Sequence, residues 1–100
     1  MKTSEATELQ LDLLVAKCEG YRLDLAPERS YAPSTDWAQG GPIIEREGIC
    51  LHKYKDGSGW SATYSAQDPE QYGPTPLIAA MRCYVASKLG AEIDLPKELT

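Results

Sequence analysis

The segment TPLIAAMRCYVASKLG, Thr75 to Gly90, restricts the possible folds of this chain more than any other stretch. Thr75 is placed to cap a helix, and Pro76 would occupy its first position, where a missing N–H costs nothing. Gly90 marks the end. Leu77, Ile78, Met81, Tyr84, Val85 and Leu89 form a broad apolar face. Ala79, Ala80, Cys83, Ala86 and Ser87 form a second face of small side chains. Small residues permit close approach by another element, from the same chain or from a second copy. Ala79, Cys83 and Ala86 are therefore candidate homodimer contacts as well as internal ones.

The remaining elements are read from shorter signals. Thr7-Glu8-Leu9-Gln10 fits a capping box, in which hydroxyl and side-chain amide each satisfy a free backbone N–H. Leu11, Leu14, Val15 and Cys18 then fall on one helical stripe, with Gly20 suited to a left-handed terminus. A helix from Glu8 to about Glu19 is expected. Tyr21 to Leu25 alternates apolar and polar, so a short strand is expected there, then loop over 26–35. Ile49–Tyr54 and Trp60–Ser65 flank the glycine-rich turn Lys55–Gly59, which predicts a hairpin. Trp60, Ala62 and Tyr64 share one face of its second strand, and Ser61, Thr63 and Ser65 take the other. Residues 67–74 read as loop and 93–100 as an irregular tail. The expected fold class is α+β: a small antiparallel sheet, made of a hairpin plus a short strand, covered by N-terminal, middle and C-terminal helices.

The middle helix lies in PSTDWAQGGPIIE, Pro33 to Glu45. Ser34 and Thr35 are N-cap residues, and Asp36 suits the positive end of a helix. One continuous helix would place Pro42 in its interior, at roughly 3 kcal/mol, with two glycines each adding up to about 1 kcal/mol. The expectation is instead a turn over Ser34–Gln39 and a new helix from Pro42, closed by Gly48. Trp37 and Ile44 are expected to pack on the sheet, while Gly40 and Gly41 let backbone approach backbone. The competing functional reading makes Asp36, Trp37, Gln39, Gly40, Gly41 and Pro42 a shallow contact site, with outward N–H groups suited to a carboxylate, phosphate or partner loop.

Composition bounds the function. One hundred residues, 42% hydrophobic and 25% charged, make one globular domain, 1–100. A net charge of -5 with scattered Lys and Arg argues against phosphate-backbone binding and favours solubility or a basic protein partner. The polar start after Met1 has no signal-peptide pattern, and no apolar run approaches a membrane span. Cys18, Cys50 and Cys83 cannot all pair internally, which suits a reducing cytosol. With His52 they match a zinc ligand count but lack paired spacing, so no metal or cofactor is expected. Asp56-Gly57-Ser58-Gly59 lacks the Gly-Lys-Ser/Thr of a phosphate loop, and no nucleophile elbow occurs. No catalytic residues are expected. The alternative to protein binding is a nucleic-acid-associated factor that stacks bases on Trp37, Trp60 and Tyr64.

With these segments in place, the chain resembles the NinX family of small proteins encoded by lambdoid bacteriophages. LDLLVAKCEG (11–20), YAPSTDWAQGGPIIEREGI (31–49) and GPTPLIAAMRCYVASKLG (73–90) carry the resemblance, in that order. The order of blocks is also distantly similar to phage ABA sandwich domains, where a Ser-Thr-Asp segment opens the middle helix; this implies helices covering a small sheet. The family resemblance implies a phage accessory protein in the cytoplasm of the host bacterium, made beside genes for replication, recombination and late control. It carries no catalytic residues onto positions here. The expected function is that of a non-enzymatic accessory protein that binds a protein partner in the infected cell.

Overall fold

The computed structural model describes residues 2–3, 6–20, 31–65 and 67–90. The strand expected at Tyr21–Leu25 and the tail 93–100 lie outside them. The elements run α1 (Glu8–Cys18), α2 (Trp37–Glu47), β1 (Cys50–Lys53), β2 (Trp60–Thr63), β3 (Gln71–Gly73) and α3 (Pro76–Leu89). The expected α+β class is the observed one.

Local chemistry sets α1 and α3 as expected. The Thr7 hydroxyl accepts from the Gln10 N–H at 3.2 Å, and the Gln10 side chain accepts from the Thr7 N–H at 3.0 Å. Leu11, Leu14 and Val15 enter the core, and Gly20 follows at φ +87. For α3, the Thr75 hydroxyl accepts from the Ile78 N–H at 3.1 Å. Its buried residues include the unbroken run Leu77, Ile78, Ala79, Ala80 and Met81, then Cys83, Tyr84 and Val85. Five successive residues exceed one turn of about 3.6, so α3 has no free side there. All three strands, α1 and α2 pack on it.

The sheet is antiparallel in the order β1-β2-β3. Cys50 pairs with Thr63 and Lys53 with Trp60; Trp60 pairs in turn with Gly73 and Ala62 with Gln71. Trp60 and Tyr64 pack against the core around the fully buried Ala62, so this face meets α3. The third strand is a correction, since residues 67–74 read as loop. Three residues, one of them Gly, show too short an alternation to be seen as a strand. What places β3 is tertiary: a Cβ on Gly73 would lie 2.6 Å from the Ala79 backbone nitrogen. Arg82 holds the same junction, donating to the Tyr72 carbonyl at 2.8 Å and the Ala6 carbonyl at 3.1 Å.

The restart at Pro42 is also corrected. One helix runs through it, with Asp36 as N-cap accepting from the Ala38 N–H at 3.0 Å. The helix closes at Gly48, φ +71, whose N–H reaches the Ile44 carbonyl at 2.9 Å. The penalties of Pro and Gly are real, but burial and capping offset part of them. Ile43 is buried, which contributes about 1.5–3 kcal/mol, and the aspartate cap adds about 1 kcal/mol. Ala38 and Pro42 are both exposed, so the acceptor that Pro42 leaves without an N–H lies on the solvated side.

The two glycines of α2 are not equivalent. A Cβ on Gly40 would lie 2.3 Å from the Pro33 carbonyl oxygen and 2.7 Å from Leu77 Cδ2, whereas one on Gly41 would meet only Trp37 Cε3 at 3.8 Å. Gly40→Ala is expected to destabilise by roughly 1–3 kcal/mol through overpacking. Gly41→Ala is expected to stabilise by up to about 1 kcal/mol through helix propensity. Urea unfolding midpoints of the two variants check this opposite response.

Candidate functional site

The segment before α2 is tied down by hydrogen bonds across the fold. The Ser34 N–H donates to Asp12 Oδ1 at 2.9 Å, and the Ala32 N–H donates to Gln39 Oε1 at 2.6 Å. The Thr35 and Asp36 N–H groups both reach the Ala32 carbonyl, at 3.0 and 2.8 Å. Burial raises the pKa of Asp12, opposed by Ser34. The Ser34 hydroxyl lies toward that carboxylate but makes no bond at hydrogen-bond geometry.

On this frame Trp37 is 55% exposed. Its expected packing on the sheet is therefore corrected, while Ile44 does pack against the core. The helix begins at Trp37, two turns or about 10 Å before Ile44, so the apolar stripe runs past the end of the core. There the indole borders a cleft of about 180 Å³, with Glu8, Ser34 and the first turn of α3 as its other walls. Glu8, Trp37 and Pro76 are the first residues of the three helices, so all three begin at this cleft.

The other predicted contact residues divide between roles. Asp36 is the helix cap, Gln39 holds Ala32, and Gly40 is buried packing. Gly41 lies under the indole, and Pro42 is exposed on the next turn. Of the six, only Trp37 lines the cleft. The outward N–H groups of a helix starting at Pro42 do not exist, because no helix starts there.

A larger cavity, about 510 Å³, lies at the opposite ends of the helices. Its walls come from the end of α2, the segment between β2 and β3, and the second half of α3. The Tyr64 hydroxyl donates to Glu47 Oε1 at 3.2 Å and lies 3.1 Å from Ser87 Oγ. Lys88 Nζ is 3.8 Å from Glu47 Oε1. Behind this wall, Arg46 makes two hydrogen bonds to Glu19, at 3.0 and 2.8 Å, and one to Glu47 at 3.0 Å. The Tyr84 hydroxyl donates to Glu19 at 2.5 Å. Burial raises the pKa of both tyrosines and moves the Cys83 thiol up to about 11. At neutral pH that thiol stays protonated and is a poor nucleophile. Ala86 and Ser87, seen in the sequence as part of a small-residue face, line this cavity with the buried Cys83, while Ala79 is fully buried inside the chain. The sequence reading missed the site because its walls come from three separated segments with no common spacing.

The remaining candidates lie apart. Cys50 and His52 are exposed, Cys18 is half-buried, and no group of His, Cys, Asp or Glu among the described residues is placed to hold a metal ion. The outer face of the sheet carries His52, Ser61 and Tyr72 in register. Tyr54 stacks on Tyr72 with ring centroids 6.0 Å apart, and His52 meets Tyr54 edge-on at 6.0 Å.

Fold and site together define a small α+β protein with helices on one face of a three-stranded sheet and an exposed tryptophan at the helix starts. The chain matches the family described as Bacteriophage P22, NinX, over residues 2–88, and it belongs to that bacteriophage family. Comparison with curated proteins gives no match. No helix among the described residues is long and apolar enough to cross a membrane.

The Glu19 carboxyl is held below its ordinary value, chiefly by its Arg46 hydrogen bonds. The folded chain therefore releases this proton more readily than the unfolded chain. Its contribution to stability is present above the ordinary carboxylate range and is lost as pH falls through the folded value. Arg46 is half-exposed, so solvent screening keeps the effect small. Glu19→Gln is expected to cost about 1 kcal/mol at neutral pH, with the difference from the parent shrinking once acid protonates Glu19. Urea unfolding at the two pH values measures it.

Proposed function

We propose that this NinX-family chain is a non-enzymatic phage accessory protein that acts in the host cytoplasm by binding a protein partner through Trp37 and the cleft beside it. The observation that carries this reading is the exposure of Trp37. A large aromatic that the core does not use, set beside a concavity, has the character of an interface anchor. The net charge of -5 favours a partner with a basic surface. A pull-down from infected host lysate is expected to recover a specific protein, and Trp37→Ala is expected to lose it. For an anchor worth at least about 2 kcal/mol, affinity falls roughly thirtyfold. The stability of the variant should stay within about 0.5 kcal/mol of the parent, because the indole is largely solvated. Recovery of no specific partner, or undiminished capture by Trp37→Ala, counts against this reading.

A second reading, association with single-stranded nucleic acid, is favoured by one observation. His52, Tyr54 and Tyr72 make an aromatic row on the outer sheet face, where bases could stack. Trp60 and Tyr64, proposed from the sequence for that role, pack against the core instead. Gel shifts at low salt test it: absence of retardation there removes the reading, since phosphate contacts are strongest under those conditions.

A further inference from the structure

The larger cavity has a chemistry of its own. At about 510 Å³ it falls within the range of small-molecule sites, roughly 300–1,000 Å³. Cys83, Ala86 and Pro69 give it an apolar lining. The Tyr64 ring is a fixed wall, because its hydroxyl is held between Glu47 and Ser87. Two carboxylates, Glu47 and Asp68, and one ammonium, Lys88, line it, and Glu47 is already paired with Arg46. Lys88 is half-exposed and sits at a loose 3.8 Å from Glu47. Among the described residues Asp68 has no cationic partner; its carboxylate accepts only from the Ser65 hydroxyl, at 2.9 Å. Gln71, in register with Ala62 and so on the side facing α3, lines the cavity with no side-chain hydrogen bond to a described residue.

We propose that this cavity binds a small organic cation, an amine carried on an apolar body. The body fits the apolar lining, and the ammonium is oriented by Asp68 and the Gln71 carbonyl, with the Tyr64 ring beside it. An anion of the same shape meets the uncompensated Asp68 carboxylate, while Lys88 is engaged with Glu47, and is rejected. This site is at the far end of the helices from Trp37 and stands independently of partner binding there.

The test uses three probes of one shape, phenethylamine, 2-phenylethanol and phenylacetate, titrated into the full ¹⁵N-labelled chain. Phenethylamine is expected to shift the amide resonances of Tyr64, Asp68, Ala86 and Ser87, to bind more tightly than the alcohol, and to leave phenylacetate without effect. Asp68→Asn is expected to weaken the amine about fivefold while leaving the alcohol unchanged, as removal of one solvent-screened charge pair predicts. Ala86→Trp, which fills the cavity, is expected to abolish the shifts, and Trp37→Ala to retain them. Equal binding of amine and alcohol, shifts at other residues, or an Asp68→Asn chain that discriminates as well as the parent would overturn the proposal. The Asp68→Asn arm decides the matter even if the bulkier variant does not fold.

Discussion

The burial of the first half of α3 on every side is the constraint on which the rest of this structure depends. Most helices in small domains keep one face in water and need a partner for the other. Here a helix with buried residues around its full circumference takes the sheet, α1 and α2 as neighbours. Its small residues set how near they come. Gly73 of β3 meets the backbone at Ala79, and Gly40 of α2 meets Leu77 and the Pro33 carbonyl. At neither glycine is there space for a Cβ, so each marks an approach that larger residues would prevent.

Hydrophobic packing leaves the helix ends to be fixed by polar contacts. Glu19 after α1, Arg46 and Glu47 at the end of α2, and Tyr84 and Lys88 on α3 form one linked network. Arg46 is its centre, because a planar guanidinium can serve two carboxylates at once. The network also supplies one wall of the larger cavity, through Glu47 and Tyr64. Fold maintenance and cavity shape therefore share residues.

The parts legible in the sequence are those whose chemistry is local. The Thr7–Gln10 box, the Thr75 cap with Pro76 and the hairpin around Gly57 and Gly59 each depend on a few neighbouring residues. The parts not legible depend on distant ones. Continuity of α2 through Pro42 goes with Ile43 entering the core and with the solvated side of Pro42, neither of which the sequence shows. Strand β3 exists because Gly73 can lie against Ala79. Trp37 belongs with neither group: it lies seven residues before Ile44 on one helix, but nothing in that spacing tells where the core ends. The larger cavity is hidden for the same reason, since Glu47, Tyr64 and Ser87 meet only after folding.

Because all three helices begin at the Trp37 cleft and finish near the Arg46 network, their peptide dipoles point the same way. Each helix end is equivalent to about half an elementary charge, so three aligned helices give the molecule an electrical axis. The side chains follow it. Glu8 and Asp36 stand at the starts, while Lys17, Arg46 and Lys88 stand in the last turns. The starts of α1 and α2 thus carry carboxylates, while at the far ends Arg46 and Lys88 are paired with Glu19 and Glu47. The two ends of the molecule are therefore electrically unlike through the backbone itself, whatever the side chains add.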